Sequence, residues 1–253
     1  MTDRIERVVL ITGAASGIGA ATARRLAGPA TALLLTTRSN ADGLARTAEA
    51  ARAAGAAVET VEGDLTEPGI PAALAEAGRQ RFGRLDQLVS NAGRAQKARF
   101  GGFDRSDLEG AFAINTYPFF DLIEACRDDL EASDWGRVVA LSSFVVNDIG
   151  INGTMFPATA AAKAAVEALA RTLAFQLAPS GATVNCVAPG FTRKDGGHAA
   201  LSPAAWEAAA QATPAGRIAD PDDIAAAVAF LLSREARHVT GQVIRVDGGL
   251  SLL

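Results

Sequence analysis

Apolar residues follow two alternating patterns along the chain. In RVVLITG, TALLLTT, AAVETVEGD, LDQLVSNAG, GRVVALSS, ATVNCVAPG and QVIRVDGG they are aliphatic, often β-branched, and end in small or polar residues. That is the pattern of short strands. Between them, GIGAATARRLA, NADGLARTAEAARAAG, PAALAEAGRQRFG, the region from Asp107 to Leu130, ATAAAKAAVEALARTLAFQLA and PDDIAAAVAFLLS space their apolar residues along one helical face. Strands that are apolar throughout need cover on both faces, and strands alternating with helices give a parallel sheet. The pattern therefore predicts an α/β fold: a single, doubly wound domain over residues 1–253, with seven parallel strands and helices on both faces. No linker, repeat or charge block divides it.

One segment departs from the alternation. Residues 190–220 are too long for an ordinary connection and read as a substrate loop or lid. Within them SPAAWEAAAQA begins with Ser202 as N-cap and Pro203 at the first helical position, so a short helix is expected there.

Composition narrows the class. The chain is 49% hydrophobic and 21% charged, which suits a globular core. Its net charge of −4 supplies no basic field, so neither nucleic acid nor an anionic membrane is an expected partner. Cys126 and Cys186 are the only cysteines and lack metal-ligand spacing. With an N-terminus that has no apolar leader pattern and no run of membrane-spanning length, the expectation is a cytoplasmic protein without a metal.

The chemistry begins at VVLITGAASGIGAATA. Gly13, Gly17 and Gly19 lie between the first strand and the first helix. Glycine allows a tight turn and close approach of a ligand, and the helix start offers N–H groups to a pyrophosphate. Read alone, the triplet also fits a plain strand–helix turn. With its neighbours it resembles the TGxxxGxG motif of the short-chain dehydrogenase/reductase family. NAG at Asn91–Gly93, Asn115 in FAINTYPFF, Ser143 ending GRVVALSS, VNCVAPGF and VTGQVIRVDGG resemble the family's other motifs, so the likeness covers essentially the whole chain.

The resemblance implies a Rossmann-type domain and a nicotinamide dinucleotide. Carried over by position, Gly13, Ser16, Gly17, Ile18 and Gly19 would hold the pyrophosphate side. Asp64 and Leu65 would meet the adenine. Asn91, Ala92, Gly93, Pro189, Gly190 and Thr192 would bound the ribose and nicotinamide. At the end of the second strand stands Thr37, then Arg38, rather than an acid for the ribose 2′-hydroxyl. A guanidinium there pairs with a 2′-phosphate, which favours NADP(H) over NAD(H). Against that, Ala15 and Ser16 put no basic residue in the glycine turn, and Arg38 can equally stack on adenine or face water.

The resemblance also implies a catalytic set of serine, tyrosine, lysine and asparagine. Ser143, Lys163 and Asn115 match. The tyrosine does not: four residues before Lys163 stands Thr159, seven before it stands Phe156, and the one tyrosine of the chain is Tyr117. Ser143 and Thr159 are sixteen residues apart, longer than the family's usual spacing, so NDIGING reads as a short insertion at the mouth of the site. A missing general acid costs about 10²–10⁴ in rate, or roughly 3–5.5 kcal/mol. Three routes remain: Lys163 acting through a water beside Thr159; a group from the long loop, such as Asp195 or His198; or a reaction that needs no strong acid at oxygen, such as hydride addition to an activated C=C.

Around this frame, Arg94, Lys97, Arg99, Arg193 and Lys194 read either as a solvated rim or as a receptor for a substrate carboxylate or phosphate. Phe156 reads as the wall of an apolar pocket, Thr159 as a residue at a helix start, and Tyr117 as packed on its helix. The expectation is an NADP(H)-dependent oxidoreductase, with catalytic residues Ser143, Lys163, Asn115 and Thr159, acting on a small apolar ketone or activated C=C compound. The alternatives are a non-redox isomerase, dehydratase or cyclase on the same fold, or a cofactor-binding protein with little catalysis. A homodimer or homotetramer is implied, through the helices around 107–130 and 158–178.

Overall fold

The computed structural model describes residues 5–193 and 202–252. The elements are β1 (Arg7–Ile11), α1 (Gly17–Leu26), β2 (Thr31–Thr37), α2 (Ala41–Ala53), β3 (Ala57–Glu62), α3 (Ile70–Phe82), β4 (Gln87–Ser90), α4 (Arg105–Asn115), α5 (Tyr117–Ala132), β5 (Arg137–Leu141), α6 (Pro157–Leu177), β6 (Thr183–Pro189), α7 (Pro203–Ala212), α8 (Pro221–Leu232) and β7 (Val243–Val246). The strands form one sheet in the order β3-β2-β1-β4-β5-β6-β7, every pair parallel.

The expected two-faced cover is present. Strands β2, β5 and β6 are buried at every residue. Alternate residues feed opposite cores. Val9, Ile11, Leu33 and Leu35 pack with Leu26, Leu44, Ala48, Ile224 and Val228 from α1, α2 and α8. Leu10, Leu34 and Leu88 pack with Leu74, Phe119, Leu122, Val166 and Leu177 from α3, α5 and α6. Each such fully buried aliphatic side chain contributes roughly 1.5–3 kcal/mol. Strand order reverses between β1 and β4, and at such a switch point the loops leaving two neighbouring strands diverge to opposite faces and open a crevice.

The helical stretch expected from Asp107 to Leu130 is two helices, α4 and α5. Pro118 has no N–H to give to the carbonyl of Ile114, so one continuous helix cannot run through it. Thr116 makes the joint: its N–H closes α4 on the Phe112 carbonyl at 2.8 Å, and its hydroxyl donates to the Ala162 carbonyl of α6 at 2.9 Å. The interruption thus pins α6, which carries Lys163. The short helix expected after Ser202 is α7, with the Ser202 Oγ accepting from the Ala205 N–H at 3.3 Å.

At the opposite end of the sheet, Asp86 is 1% exposed. It accepts from the Val8 N–H at 2.8 Å, the Arg84 guanidinium at 2.6 Å and the Ser133 hydroxyl at 2.5 Å. Among the described residues no helix is long and apolar enough to cross a membrane.

Candidate active site

The glycine turn is built by close backbone approach. Gly13 and Gly17 adopt φ of +66° and +53°, a region that costs other residues strain. A Cβ on Gly19 would overlap the Gly13 carbonyl, so the helix can start this near the strand only with glycine there. Ser16 is exposed at the N-cap of α1 and makes no side-chain capping bond. Ile18 is half-buried against the core.

The NAG turn after β4 is sewn to this one. The Thr12 hydroxyl oxygen accepts from the N–H groups of Asn91 and Ala92, both at 3.0 Å. The Asn91 amide donates to the carbonyls of Thr12 at 2.8 Å and Gly13 at 3.1 Å. Four short bonds thereby hold the two loops of the switch point together.

At the end of β2, Thr37 is buried and its hydroxyl caps the Asn40 N–H at 3.4 Å; Arg38 follows, exposed. Asp64 lies across from it. Hydrogen bonds from Thr66 hold the Asp64 carboxyl below the usual range, with a smaller pull from Arg38. Arg38 is therefore near the place where the resemblance puts the adenosine. Leu65 packs half-buried on the core beside it.

Lys163, Asn115 and Gly93 meet in one place. Lys163 is 7% exposed, and its Nζ donates to the Leu141 carbonyl at the end of β5, at 2.6 Å. Loss of water lowers its pKa from 10.5 to about 8. Asn115 is also buried: its Oδ1 accepts from the Arg94 N–H at 3.1 Å and its amide donates to the Arg94 and Ala111 carbonyls. A Cβ on Gly93 would sit 2.6 Å from Asn115 Oδ1 and 3.2 Å from Lys163 Nζ. Only a bare backbone fits between them.

Ser143, half-exposed, caps a 3-10 turn (Phe144–Val146). Its predecessor Ser142 donates to buried Glu167, one turn beyond Lys163 on α6. Thr159 is 2% exposed, and its Oγ1 accepts from the Gln96 N–H at 3.0 Å. The structure thus brings Thr159 against the loop after β4. Glu167 and Gln96 were not singled out from the sequence. Glu167 had a signal, as a lone carboxylate in the alanine-rich run of α6, at the helical repeat from Lys163.

Beside these groups opens a cavity of about 260 Å³ with an almost wholly apolar wall. Phe144, Phe156 and Phe191 line it, with Met155 and Ile151 and, among the described residues, a single charged side chain, Asp148. The rings of Phe144 and Phe191 are 4.7 Å apart. The insertion region forms much of this wall. It is tied to the β4 loop by the Ala98 N–H on the Met155 carbonyl at 3.1 Å and by Arg99 on the Gly153 carbonyl at 2.9 Å.

Pro189 and Gly190 end β6 buried, and a Cβ on Gly190 would come within 2.8 Å of the Asp247 backbone. The Thr192 hydroxyl donates to the Gly190 carbonyl at 3.0 Å. The long loop leaves and returns at one point: Thr192 bridges Ala219, and Arg193 pairs with Asp220 at 2.9 Å. Arg193 is thereby engaged on the protein itself, as is Arg99. Lys194, Asp195 and His198 lie outside the described residues. Tyr117 is 54% exposed at the start of α5, its ring 6.1 Å from Phe112, and lies on the surface rather than packed away. No cluster of metal-ligating side chains occurs among the described residues.

Comparison with known proteins agrees with the geometry. A family described as enoyl-(acyl carrier protein) reductase matches residues 13–251. The chain is 38% identical to cis-4-hydroxycyclohexanecarboxylate dehydrogenase of Sinomonas cyclohexanicum, over 96% of each chain. It is 31% identical to 7alpha-hydroxysteroid dehydrogenase of Escherichia coli (strain K12), over 96% of this chain and 93% of the relative. The crystal structure of levodione reductase superposes with a TM-score of 0.89 at 32% identity, covering 98% of this chain and 99% of the other.

Proposed function

Since the chain belongs to the short-chain dehydrogenase/reductase family of oxidoreductases, we propose that it is an NADP(H)-dependent reductase of a small alicyclic ketone or activated C=C compound, working without a phenolic acid. The observation that carries this reading is Lys163, a desolvated cation held at the switch-point crevice against Gly93 and Asn115. The residues fit a dinucleotide. Close backbone approach at Gly13 and Gly19 sets the start of α1 at the end of β1, and the space beside Gly17 is open, which supports a pyrophosphate at that helix N-terminus.

In this reading Gly13, Ser16, Gly17, Ile18 and Gly19 hold the pyrophosphate, Arg38 the 2′-phosphate, and Asp64 and Leu65 the adenine. Asn91, Ala92, Gly93, Pro189, Gly190 and Thr192 bound the nicotinamide half. When bound, the cofactor supplies the hydride. The Ser143 hydroxyl orients the substrate oxygen. Lys163, with a pKa of about 8, is largely protonated at neutral pH and is the source of the proton. Asn115 and Thr159 act as positioning residues: one fixes the backbone at Arg94, the other at Gln96. The apolar cavity takes the body of the substrate. The relatives named for cyclohexane and steroid alcohols support an alicyclic substrate.

Residues 190–220 serve as the substrate loop. The free, buried thiols of Cys126 and Cys186 suit the cytoplasm. Exposed Phe120 on α5 and Phe175 on α6 suit a homodimer or homotetramer, to be checked by light scattering. The second reading, a non-redox isomerase, dehydratase or cyclase, is favoured by one observation: no tyrosine stands four or seven residues before Lys163.

The deciding assay is oxidation of NADPH with a panel of cyclic ketones and enones. Turnover is expected, and tight cofactor binding with no acceptor consumed would select the second reading. Arg38→Ala is expected to weaken NADPH at least tenfold more than NADH. An equal loss would remove the preference argument.

A further inference from the structure

The apolar cavity contains one group that the proposed chemistry does not use. Asp148 lies in the insertion, its N–H closing the turn after Ser143 on the Phe144 carbonyl at 2.9 Å. Among the described residues it is the only charged side chain lining the cavity, in a wall otherwise made largely of phenylalanine, isoleucine, methionine and proline. Its Oδ2 is sealed from water and has no hydrogen-bond partner among the described residues. Arg245 is near enough to act on it electrostatically, and Asp247 opposes that effect, but neither makes a hydrogen bond or ion pair with it among the described residues. Burial pushes the carboxyl above its usual range.

A buried acceptor left without a donor costs about 1–3 kcal/mol, and more when charged. Among the described residues, the Asp148 carboxylate is the one ionised group on the wall of this otherwise apolar site, and so the one charged place there for a ligand to pair a donor. Phenylalanine faces around the same space also favour a cation over a neutral donor.

We propose that Asp148 is a specificity-determining residue, which selects substrates whose apolar ring carries a hydrogen-bond donor, a hydroxyl or a protonated amine. The inference rests on the reading of this cavity as the substrate site. It adds that the substrate is bifunctional, with the reducible group at Ser143 and Lys163 and a donor at Asp148. A purely hydrocarbon ketone leaves the carboxylate unpaired and binds more weakly.

The test is calorimetric binding of three probes of one shape: cyclohexylmethylamine, cyclohexylmethanol and cyclohexyl methyl ether, which has no donor. The wild type is expected to bind the amine and the alcohol at least tenfold more tightly than the ether. Asp148→Leu is expected to erase that preference. Asp148→Asn, which keeps an acceptor but no charge, is expected to keep it for the alcohol and lose it for the amine. Preference for the alcohol alone assigns a neutral donor, and preference mainly for the amine assigns a cation.

Removing an unpaired carboxylate is not expected to lower the thermal midpoint, so misfolding of Asp148→Leu is visible separately, and Asp148→Asn serves if it occurs. A wild type without preference, or a preference that survives in Asp148→Leu, overturns the proposal. NADPH oxidation with cyclohexanone, a ketone without a donor, separates the two levels. Its turnover without probe preference leaves the reductase reading standing and removes Asp148.

Discussion

Lys163→Met converts the central claim into a measurable energy. The wild-type ammonium titrates at about 8 in the fold, against 10.5 when hydrated. That lowering corresponds to roughly 3 kcal/mol. The sign follows from proton counts. Between these values the unfolded chain binds the proton and the folded one has released it, so wild-type stability rises with pH across that window. Below pH 8 the charge stays buried and the cost is present in full.

Methionine fills the same channel without charge, so the term vanishes. The variant's stability advantage over wild type is expected to be largest below pH 8. It should shrink by about 1.4 kcal/mol per unit up to pH 10.5. The bond to the Leu141 carbonyl, lost in the variant, shifts this curve by a constant without changing its slope. Cys126 and Cys186, both pushed up to about 12 by burial, act in the opposite sense above pH 9; Cys126 is common to both chains and cancels, whereas Cys186 also feels the Lys163 charge, so the comparison is read between pH 8 and 9. Urea unfolding of the two cofactor-free proteins from pH 7 to 9 gives the curve directly. A difference that stays level between pH 8 and 9 would refute the desolvation argument, and with it the claim that Lys163 is acidic enough to donate. A matching fall in kcat/KM for reduction is expected above pH 8, since that parameter reports the free enzyme.

Other outcomes follow from single contacts. Gly93→Ala places a methyl group 2.6 Å from Asn115 Oδ1. It is expected to cost about 1–3 kcal/mol in stability and to weaken NADPH in a fluorescence titration. Unchanged affinity would mean that the Gly93–Asn115–Lys163 junction is not where the cofactor lies. Asp86→Ala removes the acceptor of three donors far from the crevice. It should lose about 3 kcal/mol in denaturant unfolding while leaving the KM for cofactor unaltered; a shifted KM would link the two ends of the sheet.

Much of the fold was legible because it is written in local patterns. The inner strands carry their burial in their own composition, and β2 is buried end to end, as TALLLTT implies, while the edge strands β3 and β7 are only partly covered. Gly13 and Gly17 show their backbone need as residue type. The joint at Thr116 was missed, though Pro118 announced it, because apolar spacing continues undisturbed through the break. The pairings at the site were illegible for a different reason. Gln96 and Thr159 are 63 positions apart, and Ser142 and Glu167 are 25 apart. No helical or strand period relates such residues; only the packing of α6 beside β5 and the β4 loop does. Asp148 was quoted from the sequence as part of an insertion, but its surroundings are an apolar wall assembled from three separate stretches, Phe100, residues 144–160 and Phe191.

The same wall bears on which acceptor is reduced. The position four before Lys163 holds a short side chain whose oxygen is already occupied by the Gln96 N–H. Under the proposed reading, the developing charge on the substrate oxygen meets Ser143 and the ammonium of Lys163, and no phenol. Stabilising an anion by fixed donors remains effective in such a dry site; what is lost is rapid proton delivery, about 10²–10⁴ in rate. That loss falls most heavily on a saturated ketone, whose reduction leaves a strongly basic alkoxide needing a proton at once. Hydride addition to a conjugated C=C leaves an enolate, a far weaker base, and tolerates the slower donor. Cyclohex-2-enone is therefore expected to be reduced at its double bond at least tenfold faster than cyclohexanone, with 2-cyclohexen-1-ol absent from the products by gas chromatography. Comparable rates, or the allylic alcohol as main product, would show that proton delivery is intact and that a donor other than Lys163 supplies it.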